Sequence, residues 1–153
     1  MSISSLLATD RIFIDEHISS KKKLLEYLAE KAATELTLQQ NKVYNKLLER
    51  ERLGSTGLGK GIAVPHARLT NLHAPHACLV KLHDAIDYDA SDKQKVDLVF
   101  GLFIPEHSTE QHLQILAALA RIFSQKSVTE AIRISTTPEE IIDIIAQSET
   151  AID

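Results

Sequence analysis

The sequence of 153 residues has no tryptophan, one cysteine, five glycines and four prolines. Its single cysteine, Cys78, excludes an internal disulfide bond. Because Cys78 lies in the apolar run Ala77-Cys78-Leu79-Val80, we expect a buried thiol on a strand and not a reactive nucleophile. A chain of this length buries roughly 70% of its unfolded surface. We therefore expect a single domain over residues 1–153 that needs neither disulfide bonds nor a metal ion for stability.

No run of apolar residues approaches the roughly 20 residues that span a membrane. The longest run extends over residues 98–105. The first ten residues also lack the basic leader and the long apolar segment of a secretory signal. These absences predict a cytoplasmic protein without membrane insertion.

Basic residues are not in excess, since 17 Lys and Arg stand against 21 Asp and Glu, a formal net charge of −4. No basic stripe with interleaved aromatic residues occurs, so nucleic acid is not an expected partner. We interpret the run Lys21-Lys22-Lys23 as the solvated first turn of a helix, in preference to a membrane or nucleic-acid contact. Hydrophobic residues at 44% and charged residues at 25% are typical of an ordinary globular protein.

The N-terminal third of the sequence predicts one strand and two helices. Residues 11–15 have the composition of a short strand. After Ser20, apolar residues recur at three- and four-residue spacings, as on one face of a helix. The segment Thr37-Leu38-Gln39-Gln40 matches a capping box and predicts a second helix, which Gly54 ends. The last turn of this helix carries Arg50, which complements the helix dipole and is expected to extend into the loop that follows.

The rest of the sequence predicts strands and then helices. Strands are predicted over residues 62–64, 77–82 with a short run at 86–88, and 96–104, where nearly continuous apolar sequence indicates a central strand covered on both faces.

Capping boxes predict three helices after the last strand, and they lie at residues 108–111, 127–130 and 137–140. The predicted apolar stripe of the first of these helices is Leu113, Leu116, Ala117, Ala120 and Phe123. The order β-α-α-β-β-β-α-α-α predicts an α/β fold with one sheet flanked by helices on both faces.

Four of the five glycines lie in one loop, at positions 54, 57, 59 and 61. Glycines allow positive φ angles and let backbone N–H groups approach a ligand closely. Ser55, Thr56 and Gly57 are therefore candidate donors to the oxygens of a bound phosphate. The short strand 62–64, ended by Pro65, would then deliver the imidazole of His66 beside this loop.

A second histidine, His112, follows 46 residues after His66, in the second turn of the helix after the central strand. Ligands of open α/β sheets collect at the carboxyl ends of strands, where helix N-termini also attract anions. A phosphate between the two rings would give His66 the role of nucleophile, His112 that of a hydrogen-bond partner, and Arg50 that of a fixed positive charge. Two imidazoles in one site do not readily both become cationic, so at least one is expected to stay neutral near pH 7. The alternative is that either histidine has a purely structural role.

Two other patterns resemble binding sites only in part. His73-Ala74-Pro75-His76 has the spacing of a metal pair, but it lies in a predicted turn without a nearby cysteine or carboxylate, and no metal site is predicted. His17, His83 and His107 are interpreted as surface or structural residues. The segment 54–60 fits part of a nucleotide-binding loop, but Gly61 replaces the Mg²⁺-binding Ser or Thr and the next segment is a strand, which argues against nucleotide hydrolysis.

The site residues together resemble a known family. The sequence resembles the fructose/mannitol-type enzyme IIA domains (EIIA type 2) of the bacterial phosphotransferase system in three segments. These segments are Arg50-Glu51, Gly54-Ser55-Thr56-Gly57-Leu58-Gly59-Lys60-Gly61-Ile62-Ala63-Val64-Pro65-His66, and His112-Leu113 at the start of a helix. The Gly-Ser-Thr-Gly-x-Gly form of the loop is typical of the nitrogen-regulatory branch of that family. The resemblance covers essentially the whole chain.

The resemblance implies a mixed α/β sandwich, with parallel and antiparallel strands in its sheet, and a phosphocarrier function without a cofactor. In this family His66 would accept a phosphoryl group on Nε2 from the phosphohistidine of a small HPr-like phosphocarrier protein (NPr). His112 would be the second active-site histidine and Arg50 the arginine that contacts the phosphoryl group. Because the chain has no suitable cysteine of its own, it would signal to, or pass the group on to, separate protein partners.

Two residues depart from the family pattern, since Lys60 stands where some sugar-transporting relatives have an acidic residue, and Ala67 stands where many relatives have glycine. The methyl group of Ala67 is expected to narrow access to His66. Two alternatives to a regulatory phosphocarrier stay open at this point. One is a stand-alone fructose- or mannitol-type component that donates to the cysteine of a separate IIB protein, and the other is a binding module that senses an anion without covalent chemistry.

Overall fold

A computed structural model describes residues 2–152, and its side chains are described for residues 2–150. Two short 3-10 helices, Ser4–Leu6 and Thr9–Arg11, precede the first strand. The other elements, in chain order, are β1 (Ile12–Glu16), α1 (Lys21–Leu36), α2 (Gln40–Arg52), β2 (Gly57–Gly59), β3 (Ile62–Ala63), β4 (His66–Leu69), β5 (His76–Ile86), β6 (Val96–Pro105), α3 (Thr109–Phe123), α4 (Lys126–Ile134) and α5 (Pro138–Ile152). Within this described range, none of the helices has the length and the hydropathy to cross a membrane.

The sheet is mixed, with the strand order β1-β5-β6-β3-β2, and β4 pairs with β6 beyond β3. β1 runs parallel to β5, and both β3 and β4 run parallel to β6. β5 and β6 are antiparallel, as are β2 and β3. This architecture confirms the predicted α/β fold with parallel and antiparallel strands.

Strand β6 organises two apolar layers, one on each face of the sheet. Leu98, Phe100 and Leu102 point to a layer that includes residues of α3, α4 and α5. Val99 and Phe103 point to the opposite layer, which is formed with α1 and α2. Because side chains alternate along a strand, a strand covered on both faces must be apolar at almost every position. Helices therefore flank both faces, as the element order predicts.

Two features of the strands differ from the sequence-based prediction. β3 ends at Ala63, close to the expected position, but His66 begins a further strand, β4, and does not simply follow a strand end. Across Val64-Pro65 the chain stays attached to β6 in an unchanged register, because the backbone N–H of Leu102 donates to the carbonyl of Pro65 at 3.0 Å. β2 forms within the predicted loop and pairs with β3.

The predicted break near residue 83 in β5 is wrong, since the strand is continuous to Ile86. Residues 83–85 are exposed there, and the pairing of β5 with β6 shifts register between Lys81 and Ile86. This bulge turns the polar side chains of both His83 and Asp84 to solvent, so the apolar alternation stops before the strand does.

The expected capping box at residues 37–40 does not form. Thr37 ends α1 in a left-handed conformation, with φ of 57°, and its N–H donates to the carbonyl of Ala33. α2 begins two residues later than the capping box requires, with Gln39 at its N-cap. At the start of α1, by contrast, Ser20 caps the helix by accepting a hydrogen bond from the N–H of Lys23 at 3.1 Å.

The capping boxes of the last three helices have different outcomes. Ser108 is at the N-cap of α3 without a side-chain capping bond. Ser127 lies inside α4, which begins at Lys126, so that capping box is wrong. Thr137 accepts a hydrogen bond from the N–H of Glu140 at 3.3 Å and caps α5, with Pro138 at the first helical position as predicted.

The buried face of α3 lies one position before the predicted stripe in most of the helix, whereas Phe123 is buried as predicted. Leu113 is 62% exposed, whereas the buried residues are His112, Ile115, Leu119, Ile122 and Phe123. Apolar residues occur on several sides of this helix, so more than one stripe satisfies the helical period. Packing against the sheet selects the stripe that places His112 on the inner face.

The Cys78 thiol is buried on β5, as predicted. A Cβ atom on Gly101, its partner residue on β6, would lie 3.0 Å from the Cys78 sulfur and 3.1 Å from Cδ2 of Leu28 on α1. Burial raises the pKa of this thiol to about 12, which keeps it protonated and unreactive near neutral pH.

Replacing Leu28 by alanine is expected to lower the free energy of unfolding by about 2–5 kcal/mol, because the fully buried side chain would leave a cavity between α1 and β6. Leu53→Ala is the matched control, since Leu53 is 85% exposed and the same change there should alter the free energy of unfolding by less than about 0.5 kcal/mol. Urea unfolding followed by circular dichroism measures both. Equal losses in the two variants would contradict the packing described for α1.

Candidate active site

His66 and His112 come together although they lie on different elements. His66 begins β4, where it pairs with Leu102 of β6, and His112 lies in the second turn of α3, which follows β6. Their ring centroids are 5.1 Å apart with an interplanar angle of 72°. Only 7% of His66 and 8% of His112 is exposed. The structure thus places the two predicted histidines side by side at a nearly buried position.

The hydrogen bond of His66 determines which ring nitrogen is available for chemistry. Its Nδ1 lies 2.8 Å from the carbonyl oxygen of Val64. A carbonyl can only accept, so Nδ1 must carry the proton and donate it. In the neutral ring, Nε2 is then unprotonated and holds the free electron pair of a nucleophile.

His112 has the opposite tautomer, which Arg68 determines. The Nε–H of Arg68 donates to Nδ1 of His112 at 3.1 Å, and a guanidinium has no acceptor atoms, so Nδ1 must accept and Nε2 must carry the proton. Within the part of the chain that the structure describes, the buried Nε2 has no hydrogen-bond partner. An unpaired buried donor costs about 1–3 kcal/mol, and it would be satisfied by an acceptor entering the site.

Arg68 was not among the residues predicted from the sequence. It lies two residues after His66 on β4, and alternate residues of a strand point to the same face. Its Nη1 also lies 3.3 Å from the hydroxyl oxygen of Thr109, at the start of α3. The alternation of side chains along a strand could have identified Arg68, because it lies two residues after His66. This requires a strand after Pro65, and none is predicted there from the sequence.

Ala67, between these two residues, points to the other face of the sheet. It is buried in the apolar layer formed with α1 and α2. Its methyl group therefore does not narrow access to His66, contrary to the expectation from the sequence.

Arg50 occupies the end of α2, as predicted, and extends to the glycine loop, where its Nη1 donates to the carbonyl of Gly54 at 2.8 Å. Burial lowers the pKa of His66, and the charges of Arg50 and Arg68 lower it further, against the opposite effects of the Val64 carbonyl and Glu51. Burial, the neighbouring His66 and the two arginines lower the pKa of His112 to about 4. Both imidazoles are therefore neutral near pH 7.

A buried carboxylate, that of Glu51, fixes the loop to α2. It accepts hydrogen bonds from the Thr56 N–H at 3.2 Å, from the Thr56 hydroxyl, and from the Tyr88 hydroxyl at 2.8 Å. Nζ of Lys21 lies 2.8 Å from the same carboxylate and 4.4 Å from the centroid of the Tyr88 ring. The interpretation of Lys21 as part of a merely solvated turn is therefore wrong, because a buried carboxylate needs a compensating cation.

Two of the three predicted phosphate-binding residues of the loop, Thr56 and Gly57, direct their donors at other residues, and the third, Ser55, accepts one of these hydrogen bonds. The donors of Thr56 are directed at Glu51, and the Gly57 N–H donates to the Ser55 hydroxyl oxygen at 3.1 Å. A Cβ atom on Gly57 would lie 2.9 Å from Cβ of Ala90, so this position has room only for glycine. The structure therefore places Ser55, Thr56 and Gly57 in the loop beside Arg50, but it does not direct the Thr56 and Gly57 donors at the histidine pair. Phosphate binding by these residues stays a prediction.

The alternative sites weighed from the sequence gain no support from the structure. The residue after Lys60 leads into β3 and not into a helix, so the segment does not form a nucleotide-binding loop. Among residues 2–150, His66, His112, His73 and His76 do not belong to any group of three side chains placed to hold one metal ion.

We expect the rings of His66 and His112 to titrate below pH 6.5, the usual pKa of histidine, with His112 near pH 4. A lowered pKa means that the ring stays neutral as the pH falls and gains its proton only at the lower value. Histidine ring NMR spectra recorded between pH 3 and 8 measure both. In Arg68→Ala the pKa of His112 should rise, because a nearby positive charge is lost; a wild-type His112 pKa near 6.5 would contradict a buried neutral ring.

Comparison with known proteins identifies the family of this chain. Residues 5–148 match the family described as "Phosphoenolpyruvate-dependent sugar phosphotransferase system, EIIA 2". The chain is 35% identical over 144 residues to a nitrogen regulatory protein of Pseudomonas aeruginosa, with 94% of each chain covered. It is 30% identical over 146 residues to the fructose-specific EIIA component of Haloferax volcanii, with 95% of each chain covered.

The fold also matches the crystal structure of the nitrogen regulatory protein IIA-Ntr from Neisseria meningitidis, with a TM-score of 0.90 and 36% sequence identity over 94% of this chain and 98% of that chain. These similarities confirm the resemblance inferred from the glycine loop and the two histidines. The chain belongs to the EIIA 2 family of the phosphoenolpyruvate-dependent sugar phosphotransferase system, and within that family it resembles the nitrogen regulatory IIA proteins.

Proposed function

We propose that the protein is a phosphoryl carrier of the nitrogen-regulatory type, in which Nε2 of His66 accepts a phosphoryl group from the phosphohistidine of an HPr-like phosphocarrier protein (NPr). The observation that carries this proposal is the complementary protonation of two adjacent rings. His66 offers an unprotonated Nε2, and His112 offers an unpartnered, buried Nε2–H in the described part of the chain.

The transfer balances without a further reactant. The electron pair on Nε2 of His66 forms a new N–P bond, while the N–P bond of the donor breaks and its electron pair returns to the donor imidazole. The proton on Nδ1 of His66 stays on the hydrogen bond to Val64 throughout. Catalysis then consists of positioning and electrostatic stabilisation, as is usual for phosphoryl transfer.

Three side chains stabilise the charge on the phosphoryl oxygens in this proposal. The Nε2–H of His112 donates to one oxygen, which satisfies the orphan donor. Arg50 supplies a positive charge from the glycine loop, and Arg68 supplies a second charge while it keeps the proton of His112 on Nε2. Thr56 and Gly57 would contribute donors only after exchanging their present partners, whereas the Ser55 hydroxyl accepts in its bond with Gly57 and can still donate its own proton.

The phosphoryl group is then either transferred to a separate protein or recognised by one as a signal. Cys78 cannot receive it within the chain, because the thiol is buried and its pKa is raised to about 12. Phosphorylation adds about −1.5 to −2 charges at His66, which is enough to create or remove a docking surface for a regulatory target protein.

A sugar-relay function is the second candidate, and the 30% identity to a fructose-specific EIIA component favours it. In that case the phosphoryl group passes from His66 to a cysteine of a separate IIB protein. Mixing the phosphorylated protein with fructose-type and mannitol-type IIB proteins distinguishes the two candidates. Rapid loss of the phosphoryl group to IIB supports the sugar relay, and retention supports the regulatory carrier.

Incubation with phosphorylated HPr-like protein should add one phosphoryl group to the protein, measured as a mass gain in intact-protein mass spectrometry. His66→Ala should abolish the gain because it removes the acceptor nitrogen. His107→Ala is the matched control, since His107 is an exposed histidine five residues before His112, and it should retain the gain. A wild-type protein that binds phosphate but gains no mass would favour the anion-binding module and reject the carrier.

His112→Ala should fold normally and slow phosphoryl transfer by about 100- to 1,000-fold, because it removes a donor to the charged transition state. Arg68→Ala should slow transfer as well, and it should slow the His112→Ala variant by a smaller factor than the wild type, because part of its effect acts through His112. Arg121→Ala, an exposed arginine on the same helix, is the control. Quenched-flow measurement of the phosphorylated fraction gives the rates, and unchanged transfer in His112→Ala would assign that ring a structural role.

A further inference from the structure

Three potential metal ligands meet at an exposed edge of the sheet. Asp15 lies on β1, His17 follows that strand, and His83 lies on β5. One ligand atom of each side chain lies within 4.8 Å of the others. Nδ1 of His83 is 2.5 Å from Oδ1 of Asp15, and the rings of His17 and His83 have centroids 4.3 Å apart with an interplanar angle of 32°.

The parallel pairing of β1 with β5 creates this cluster from residues that are far apart in sequence. Glu16 pairs with Leu82, so Asp15 and His83 lie on neighbouring strands at nearly the same level. The register of this pairing shifts between Phe13 and Glu16, and Asp15 has a φ of 62°. Aspartate tolerates this left-handed conformation better than most residues, and the irregularity brings its carboxylate to the ring of His83.

The geometry points to a binding site for one divalent transition-metal ion of the Zn²⁺ class at Asp15, His17 and His83. Two imidazoles with one carboxylate are a ligand set that suits zinc, copper or nickel and not magnesium or calcium. Three protein ligands on an exposed surface leave the remaining coordination positions to water. On binding, the ion replaces the proton shared by His83 and Asp15, and this proton passes to solvent.

The charges around the cluster are compatible with a bound cation. Asp84 follows His83 directly, and Glu16 follows Asp15. The cation nearest in sequence on β5, Lys81, donates to the carbonyl of Ser135 at the end of α4, at 2.5 Å. The hydrogen bond from His83 lowers the pKa of the Asp15 carboxyl, and the positive charge of Lys81 helps to lower it, which keeps Asp15 ionised as a ligand.

This metal site is separate from the histidine pair of the proposed phosphoryl site. His66 pairs with Leu102, and Leu102 pairs with Ala77 at the start of β5. His83 lies six residues farther along β5, which is roughly 20 Å at the usual rise of a strand. Metal binding at this edge therefore neither requires nor disturbs His66, and the inference is independent of the proposed function.

Titration of the metal-free full chain with Zn²⁺, in competition with a chromophoric chelator, tests the inference. We expect one equivalent to bind, and we expect His17→Ala, His83→Ala and Asp15→Asn each to weaken binding at least about 10-fold, since even outer-sphere partners of a metal contribute that much. His73→Ala is the control for an exposed histidine elsewhere, and His66→Ala is the control for the other histidine pair. Both should bind Zn²⁺ like the wild type.

Three results would overturn the site: no saturable binding of Zn²⁺ up to about 1 mM, affinity unchanged in both His17→Ala and His83→Ala, or affinity lost in His66→Ala instead. Millimolar Mg²⁺ should not displace the bound Zn²⁺, and displacement by Mg²⁺ would show that the imidazoles are not ligands. The three substituted ligands, Asp15, His17 and His83, are at exposed positions, and circular dichroism verifies that each of these variants is folded.

Discussion

The arrangement of the proposed phosphoryl site depends on the carboxylate of Glu51, which is buried at the end of α2 with an ion pair and three hydrogen bonds. A buried carboxylate is tolerated only when its charge and its lone pairs are satisfied. Here the partners come from α1, the glycine loop and the segment after β5, so one charge ties three separate parts of the chain together. Arg50 precedes Glu51 directly, and its position beside the loop follows from this anchoring.

Hydrogen bonds to neighbouring residues fix the tautomers of His66 and His112 in the absence of a ligand. A carbonyl oxygen holds the proton of His66 on Nδ1, and a guanidinium keeps Nδ1 of His112 free of a proton. Neither ring has to change tautomer to act in the proposed transfer. The cost of leaving one donor unpaired is borne by the folded protein, which is the usual form of electrostatic preorganisation.

The sequence predicts the local parts of this structure well. His66, His112 and Arg50 belong to a contiguous motif or to the start of a recognisable helix, and the long apolar strand identifies the centre of the sheet. The residues that were missed depend on contacts between distant segments. Arg68 requires knowledge that β4 resumes after Pro65, and Lys21 requires the packing of α1 against α2. The buried stripe of α3 likewise depends on which face of the helix packs against the sheet, and the helical period alone does not specify that face. The cluster at residues 15, 17 and 83 depends on which strands pair, which the strand period alone does not specify.

The pairing of β3 and β4 with β6 affects the order in which the site can form. These pairs join residues about 36 apart in the chain, and such non-local parallel contacts form late because a long loop must close first. His66 and His112 are brought together only when β6 has docked and α3 has packed against it. A nascent or partly unfolded chain therefore lacks the paired rings, and under the proposed function its competence for phosphoryl exchange would report that the whole sheet has assembled.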